Sequence, residues 1–198
     1  MATDRNRTRM RLLTYLVGCS VDGFTAGPDG QCEPLCFDGD LKDAVLAEYP
    51  ETVPDHARRP LGVVSTANRL FDTVVMGRGV YESARAAGAD SPYPWLRQYV
   101  VSSSLKRPVS GVDVVADDPA EFVRGLKRRP GMGIWLCGGP VLAGRLLREV
   151  DKLVVHRHPV VFGAGVPLFH AAFDPAAFTL TDFRVFATGV TVTTYTKQ

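Results

Sequence analysis

Short runs rich in β-branched and apolar residues alternate with helix-like segments along most of this sequence. Six runs are predicted strands: residues 12–17, 73–76, 98–102, 112–116, 134–137 and 153–161. Four segments between them have helical patterning: residues 40–49, 80–87, 119–128 and 140–150. Because strands that alternate with helices usually form a mostly parallel sheet covered by helices, we expect an α/β fold.

The C-terminal stretch, residues 178–196, follows a different pattern. Apolar or β-branched side chains alternate on both sides of Thr188-Gly189, with no helical segment between them. Such alternation around a turn-forming pair predicts a β-hairpin. The sheet is therefore expected to end in antiparallel strands.

Length and composition fit one globular domain. The chain has 198 residues, 45% of them hydrophobic and 22% charged, which excludes a disordered or fibrous protein. Its 23 basic and 21 acidic residues give a net charge of +2, too balanced for a nucleic-acid or membrane partner. We expect a flexible tail at residues 1–10, a single domain at residues 11–198, and a cytoplasmic location, because no leader or membrane span is recognisable.

The four cysteines do not form a metal-binding pattern. Cys32 and Cys36 are spaced C-x3-C, but the histidine nearest in sequence is His56. Neither a metal site nor a disulfide framework is therefore predicted. The proline-rich segment at residues 50–60, PETVPDHARRP, is interpreted as an insertion that runs over the surface, with no role assigned.

The predicted strand at residues 73–76 leads into Gly77, Arg78 and Gly79 and then into a helix. Free N–H groups at a helix start, with a guanidinium beside them, are suited to bind a phosphate. The alternative is an ordinary strand-to-helix turn with a solvated arginine. The fragment does not complete the G-x-G-x-x-G fingerprint, since Glu82 stands where the third glycine is needed, so a Rossmann site is not predicted.

Two other strand ends have similar chemistry. One predicted strand runs into Gly138, Gly139 and Pro140, and another ends in the hydroxyl side chains of Ser102, Ser103 and Ser104. Each alone is equally typical of a tight turn. Because ligands of open α/β sheets bind outside the carboxyl ends of strands, the three ends together favour a nucleotide cofactor.

Five fragments occur in a characteristic order: SVDGFTAGPDG (20–30), DTVVMGRGVYES (72–83), YVVSS (99–103), IWLCGGPVLAGRLL (134–147) and DKLVVHRHPVVFGAGVPLF (151–169). In this order they resemble the dihydrofolate reductase superfamily. The branch they resemble most contains the reductase domain of bacterial riboflavin biosynthesis and its stand-alone relatives. The resemblance implies a dihydrofolate reductase-like three-layer fold with a mostly parallel central sheet, and NADPH as the cofactor.

The resemblance also implies cofactor contacts. Val17 and Gly18 would line the nicotinamide, and residues 20–30 would form a mobile lid over it. Arg78 would face the adenosine 2′-phosphate, with Ser102 and Ser103 beside it. The remaining implied contacts are Gly77, Gly79, Gly138, Gly139, Pro140, Val141 and Leu142, with Gly138 and Gly139 joined by the cis peptide often found in this family.

Two departures from the family pattern weaken the expected cofactor site. A bulkier residue and then threonine usually follow the Gly-Arg pair, whereas Gly79 and Val80 stand here. Loss of that hydroxyl donor would weaken binding by roughly 0.5 to 1.5 kcal/mol. Ser103 also stands where close relatives often have arginine.

The resemblance places a catalytic acid at the start of the first helix. Asp40 is the best match, Asp38 and Glu33 are rivals, and helix N-capping is the alternative interpretation of Asp40. His156 matches a position beside the substrate, where an ordinary pKa of about 6.5 would let it donate a proton. His158 is expected on the same face of the strand. The alternative for His156 is a structural strand histidine.

These observations predict an NADPH-dependent reductase that transfers hydride to a C=N or C=O bond of a pterin- or pyrimidine-like heterocycle. One alternative is reduction of the ribosylaminopyrimidine of riboflavin biosynthesis. The deaminase motif of that pathway, His-Ala-Glu followed by Pro-Cys-x-x-Cys, does not occur in the sequence. A second alternative is an inactive NADPH-binding or regulatory module. By analogy with relatives, we expect a homodimer.

Overall fold

A computed structural model describes residues 10–105 and 111–198. The predicted tail lies almost entirely outside the described residues. The strands are β1 (Leu13–Cys19), β2 (Phe24–Ala26), β3 (Phe71–Gly77), β4 (Arg97–Val101), β5 (Val112–Val115), β6 (Gly133–Gly138), β7 (Lys152–Arg157), β8 (Val166–Pro167), β9 (Phe178–Val185) and β10 (Thr191–Lys197). The helices are α1 (Gly39–Glu48), α2 (Asp55–Arg58), α3 (Arg78–Ala86), α4 (Pro119–Lys127) and α5 (Pro140–Arg145), with a 3₁₀ turn at Pro50–Thr52.

The central sheet of the described residues has eight strands in the order β5-β4-β3-β6-β1-β7-β10-β9. The strands from β5 to β7 pair in parallel, whereas β10 is antiparallel to both β7 and β9. This arrangement confirms the α/β class, the mostly parallel sheet and the C-terminal antiparallel hairpin.

Each face of the sheet carries its own hydrophobic core. One core joins α1 and α3 to the sheet through Leu41, Val45 and Tyr81. The other joins α4 and α5 through Val123 and Leu142. Because successive strand residues face opposite sides, the nearly continuous burial of β3 serves both cores at once. The helices and the sheet therefore form the expected three layers.

Some predicted boundaries were wrong. Strand β7 ends at Arg157 rather than at residue 161, because Pro159 has no N–H to donate to the sheet. Helix α5 ends at Arg145, and the chain continues to residue 149 in i→i+3 hydrogen-bonded turns. The two-stranded sheet formed by β2 and β8 was not predicted, since strands of three and two residues are too short to show periodicity.

The interpretation of residues 50–60 as a surface insertion was also wrong. Glu51 is fully buried, and its carboxyl oxygens accept hydrogen bonds from the amides of Arg69, Leu70 and Phe71 at 3.2, 2.7 and 2.7 Å. Arg58 is buried too and donates to the carbonyl of Pro50 at 2.8 Å. The segment is an anchored part of the molecule, because Glu51 holds it to the start of β3 and Arg58 ties its helix to Pro50 and to Thr66.

Candidate active site

The carboxyl ends of β3 and β6 meet at glycines. A Cβ atom at Gly77 would lie 3.4 Å from the amide nitrogen of Gly139 and 3.5 Å from the carbonyl oxygen of Gly138. The peptide between Gly138 and Gly139 is cis, as the resemblance implies, and Gly138 has φ of 108°. The two strand ends can approach this closely because neither has a side chain at the contact.

A cavity of about 690 Å³ opens at these strand ends, and we call it the glycine cavity. Helix α3 begins at its edge, and no side chain caps the amides of the first turn of that helix. The residues that line it are Tyr15, Val17, Thr25, Ala26, Gly30, Cys32, Gly77, Arg78, Gly79, Val80, Ser83, Val101, Cys137, Gly139, Pro140, Val141, Leu142, Arg145 and Val166.

Most of the predicted cofactor contacts lie in the glycine cavity. Those that line it are Val17, Gly77, Arg78, Gly79, Gly139, Pro140, Val141 and Leu142. Gly138 is at the meeting of the strand ends, and Gly18 faces a second cavity instead. Ser102 and Ser103 do not line it. The Ser102 hydroxyl accepts hydrogen bonds from the amides of Ser104 and Leu105 at 3.2 and 3.0 Å, so this serine caps a turn.

The charged groups that line the glycine cavity are both cations. Arg78 donates to Glu82 and to the hydroxyl of Ser104, both at 2.7 Å, and its side chain is half exposed. Arg145 has no side-chain hydrogen bond or ion pair with the described residues. No carboxylate of the described residues lines the cavity. This electrostatic environment is suited to a phosphorylated ligand.

The proposed lid, residues 20–30, is held to the body of the protein at its first half. Asp22 accepts hydrogen bonds from the amides of Phe162 and Gly163 at 3.1 and 2.7 Å. A hydrogen bond from the hydroxyl of Ser20, followed by these amide bonds, lowers the pKa of Asp22 to about 2. Strand β2 then pairs with β8. Gly30 and Cys32, beyond the anchored half, border the glycine cavity.

A second cavity, of about 420 Å³, lies on the other face of β1, and we call it the histidine cavity. Leu16 and Gly18 face it, whereas Tyr15 and Val17 face the glycine cavity, as the alternation of a strand requires. The residues that line it are Leu16, Gly18, Leu35, Cys36, Phe37, Leu41, Val45, Thr52, Val53, Pro54, Ala57, Leu61, Tyr93, Trp135, His156 and His158.

The two histidines face this cavity together, as expected from their spacing. His156 is 8% exposed and His158 is 5% exposed. Burial, followed by the nearby His158 and Arg184, lowers the pKa of His156 to about 4. Burial also lowers the pKa of His158, and the carboxylate of Asp38 partly opposes that effect. The expectation of a pKa near 6.5 for His156 was therefore wrong, because burial disfavours the charged imidazolium and keeps the ring neutral at pH 7.

The predicted catalytic acid lies elsewhere. Asp40 is exposed in the first turn of α1, and its carboxylate accepts a hydrogen bond from the amide of Ala187 at 2.7 Å. The N-cap of α1 is Asp38, so the capping interpretation of Asp40 was wrong by two residues. Asp38, Asp40 and Glu33 are all exposed, and none of them lines the histidine cavity. A catalytic role for Asp40 stays a prediction that this placement does not favour.

Several residues of the site escaped the sequence analysis. The serine run was predicted as a whole, but Ser104, rather than Ser102 or Ser103, is the member that contacts Arg78. Arg145 lies a full turn beyond the start of α5, and the resemblance assigned it no cofactor contact. The wall of the histidine cavity at residues 52–61 comes from the segment interpreted as a surface insertion. Within residues 50–60, the feature of the sequence that could have indicated a buried wall was the presence of apolar side chains between the prolines.

The described residues offer neither a metal site nor a membrane-spanning helix. No group of three or more Cys, His, Asp and Glu side chains among them is arranged to hold a metal ion. Cys19, Cys32, Cys36 and Cys137 are free thiols. None of the helices described in residues 10–105 and 111–198 is long and apolar enough to cross a membrane.

Solved structures share this fold. A putative riboflavin biosynthesis protein from Shewanella sp. PV-4 superimposes with a TM-score of 0.70 at 23% identity, over 94% of this chain and 99% of that one. Dihydrofolate reductase from Enterococcus faecalis, complexed with NADP(H) and RAB-propyl, gives 0.64 at 16% identity, over 94% and 96%. The Thermotoga maritima diaminohydroxyphosphoribosylaminopyrimidine deaminase/5-amino-6-(5-phosphoribosylamino)uracil reductase gives 0.64 at 14% identity, over 96% of this chain and 57% of that one.

Sequence comparison identifies the family directly. Uncharacterized protein YwjB of Bacillus subtilis (strain 168) is 28% identical over 184 residues, which are 91% of this chain and 95% of that protein. The model of the RibD C-terminal domain matches residues 11–192. Since this match covers nearly the whole sequence, the chain belongs to the RibD C-terminal domain family, a reductase-like family with the dihydrofolate reductase-like fold.

Proposed function

We propose that this protein is an NADPH-dependent reductase that transfers hydride to a C=N or C=O bond of a small pterin- or pyrimidine-like heterocycle. The observation that carries the proposal is the glycine cavity, where two glycine strand ends and two arginines border one space. Membership of a reductase-like family supports the reaction class. The Enterococcus faecalis structure with the same fold was solved with NADP(H).

The residues present fit a dinucleotide phosphate. Gly77 and Gly139 leave backbone exposed where a Cβ atom would otherwise stand, so a pyrophosphate can approach the amide N–H groups of Gly139, Val141 and Leu142. Arg78 and Arg145 supply two positive charges at the cavity, and Arg145 has no competing partner among the described residues. We assign the 2′-phosphate of NADPH to Arg78, as its neighbour Ser104 adds a hydroxyl donor.

NADPH, when bound, supplies the hydride. Val17 and Gly18 face opposite cavities, and the pairing of β1 with β6 stops at Tyr15, so the two reactants would meet in the opening between these strands beyond that residue. Gly18 leaves the strand backbone open toward the substrate side, where a Cβ atom would lie 3.4 Å from Nε2 of His158. The loop that follows β2 borders both cavities through Cys32 and Cys36, and it limits the access of water.

The neutral imidazoles of His156 and His158 hold the substrate. A neutral imidazole has one N–H donor and one acceptor nitrogen, so each ring can donate one hydrogen bond to a carbonyl or imine of the substrate. Such a bond polarises the group that accepts hydride without placing a full positive charge in the cavity.

Titration of the protein with NADPH, followed by fluorescence, tests the cofactor assignment. We expect Arg78→Ala to weaken NADPH binding about tenfold and to leave NADH binding unchanged, since NADH lacks the 2′-phosphate. Arg85→Ala is the matched control, because Arg85 lies on the same helix and pairs with Asp90 outside the cavity. A wild-type protein that does not bind NADPH at millimolar concentration would refute the proposal.

Oxidation of NADPH with dihydrofolate and with the riboflavin-pathway ribosylaminopyrimidine then distinguishes the candidate activities. Turnover of the second compound would support the riboflavin-type alternative. Binding of NADPH without turnover across a panel of heterocycles would favour an inactive nucleotide-binding module. The homodimer and the cytoplasmic location stay predictions, and light scattering of the purified protein tests the first of them.

A further inference from the structure

The polar groups of the histidine cavity are almost all used inside the protein. The hydroxyl of Thr52 donates to the carbonyl of Tyr49 at 2.8 Å. The hydroxyl of Tyr93 lies close enough to the thiol of Cys137 to affect its pKa. The side chains of His156 and His158 are the exceptions, since neither makes a hydrogen bond with any described residue. The two side chains are more than nine-tenths buried, yet their ring nitrogens are not among the buried atoms without a partner, so they are open to the cavity and placed to bind the polar edge of a ligand.

The rest of the cavity is apolar and partly aromatic. Trp135, Tyr93 and Phe37 face it, together with aliphatic side chains from α1 and from residues 52–61. Aromatic and aliphatic walls favour a flat ring, whose two faces they can contact. The cavity of about 420 Å³ has room for a ring system of one or two rings.

The described residues that line the histidine cavity include no positively or negatively charged side chain. No Asp, Glu, Lys or Arg of the described residues lines it. Arg58 lies next to Ala57 in sequence, but its guanidinium stacks on Trp95 at 3.8 Å and donates to the carbonyls of Pro50 and Thr66. A phosphate in this cavity would lose water without gaining a counter-ion, which is strongly unfavourable.

Arg184 and Arg157, the two arginines closest to the histidines in the sheet, are also occupied or directed away. Arg184 binds both carboxylate oxygens of Glu48. Arg157 stands between the two histidines in sequence, and the alternation of β7 turns it to the opposite face, where it contacts Cys19. The exposed carboxylate of Asp38 is the charged group that acts on His158, and its sign would repel a phosphate further.

We propose that the histidine cavity binds an uncharged, unphosphorylated planar heterocycle, with its polar edge on His156 and His158 and its ring against Trp135. This proposal rests on the proposed reductase function and names the substrate class of that site. It separates this chain from the Thermotoga maritima protein, whose name specifies a phosphoribosyl substrate. The fold is shared, whereas the charge of the substrate differs.

A matched pair of ligands tests the proposal. The full chain, saturated with NADP⁺, is titrated calorimetrically with 5-amino-6-ribosylaminouracil and with its 5′-phosphate, and 7,8-dihydropterin serves as a second neutral ring. We expect at least one neutral ring to bind and the nucleoside to bind at least tenfold tighter than the nucleotide. Equal or tighter binding of the nucleotide would overturn the proposal, as would failure of both neutral rings at millimolar concentration.

Binding of NADP⁺ is measured first in the same samples. Its absence would remove the proposed function itself. Its presence, together with a preference for the phosphorylated ligand, would overturn only the assignment of the histidine cavity. The two failures are thus distinguishable.

Variants of α2 give a second test by adding charge. Ala57→Lys places an ammonium group in the wall of the cavity, and we expect it to reduce the preference for the unphosphorylated ligand at least fivefold. His56→Lys is the control, because it adds a lysine to the same short helix at an exposed position outside the cavity. An equal effect of both variants would show that long-range charge, rather than the cavity, sets the preference.

A third variant tests the histidines. His158→Leu removes one polar partner while keeping an apolar side chain of similar size, and we expect it to weaken binding of the neutral ligand about tenfold. The melting temperature, measured in parallel, shows whether the variant is folded. A folded His158→Leu protein with unchanged affinity would refute the contact between this imidazole and the ligand.

Discussion

The glycine cavity and the histidine cavity share strand β1 and are built in different ways. The glycine cavity forms where neighbouring parallel strands end, and main-chain atoms make its central contact, between Gly77 and the Gly138-Gly139 peptide. The histidine cavity depends on side chains from distant parts of the chain, including residues 52–61. One cavity is therefore a product of the sheet topology, and the other is a product of long-range packing.

The two cavities also differ in charge. Arg78 and Arg145 border the first, whereas no ionised side chain of the described residues lines the second. A protein that binds a phosphorylated cofactor beside a neutral substrate needs this difference, because each ligand is then repelled or poorly solvated in the wrong cavity. Three changes test how independent the two cavities are.

The largest effect is expected at Glu51. Its carboxyl group holds the wall of the histidine cavity to the start of β3 through three buried backbone amides. Hydrogen bonds to a charged group contribute about 1.5 to 3 kcal/mol each, so Glu51→Ala is expected to lower the free energy of unfolding by about 4 kcal/mol. Urea denaturation measures this change.

Two comparisons make the Glu51 prediction specific. Glu121→Ala, which removes an exposed acid from the first turn of α4, should cost less than about 1 kcal/mol. NADPH affinity of the folded Glu51→Ala protein should stay within twofold of the wild type. A parallel loss of NADPH binding would show that the glycine cavity depends on the same anchor, and the contrast between the cavities would fail.

Sequence patterns predicted the fold and much of the glycine cavity because both depend on local features. The alternation of apolar and polar residues identifies the strands and the C-terminal hairpin. A glycine at a strand end can be recognised in the sequence without knowing which residues lie next to it in the fold. The histidine cavity was harder to predict, since Glu51 binds amides 18 to 20 residues further along the chain and such contacts have no periodicity. The surroundings of Asp40 could not be predicted for a related reason: its hydrogen-bond partner, Ala187, lies 147 residues away.

The second-largest effect is expected in the pH dependence of the free energy of unfolding. His156 has a pKa of about 4 in the folded protein and an ordinary value of about 6.5 when unfolded. Between these values the unfolded chain binds a proton that the folded protein does not, so stability is lost as the pH falls. The expected loss from pH 6.5 to pH 4 is about 3 kcal/mol, and the lowered pKa of His158 acts in the same direction.

Urea denaturation at several pH values measures this dependence. We expect His156→Gln to flatten the curve between pH 6.5 and 4, and His170→Gln, which changes an exposed histidine, to leave it unchanged. If the His156→Gln protein loses stability with the same slope as the wild type, then the burial of a neutral imidazole in the histidine cavity is not the cause.

The smallest expected effect tests the cofactor side. A valine at position 77 would press its branched side chain against the Gly138-Gly139 peptide, because even the Cβ atom lies 3.4 Å from the amide nitrogen of Gly139. We expect Gly77→Val to weaken NADPH binding at least tenfold, or about 1.4 kcal/mol. Gly79→Ala should stay within threefold, since a Cβ atom there meets nothing within 4 Å.

Titration of Gly77→Val and of Glu51→Ala with a neutral heterocycle completes the comparison of the two cavities. Gly77 lies on the glycine-cavity side of the molecule and does not line the histidine cavity, so binding of the heterocycle to Gly77→Val should persist. Glu51→Ala should show the opposite pattern, with cofactor binding kept and heterocycle binding reduced. If both variants lose both ligands, the two cavities form one cooperative unit, and the strand between them transmits changes rather than separating them.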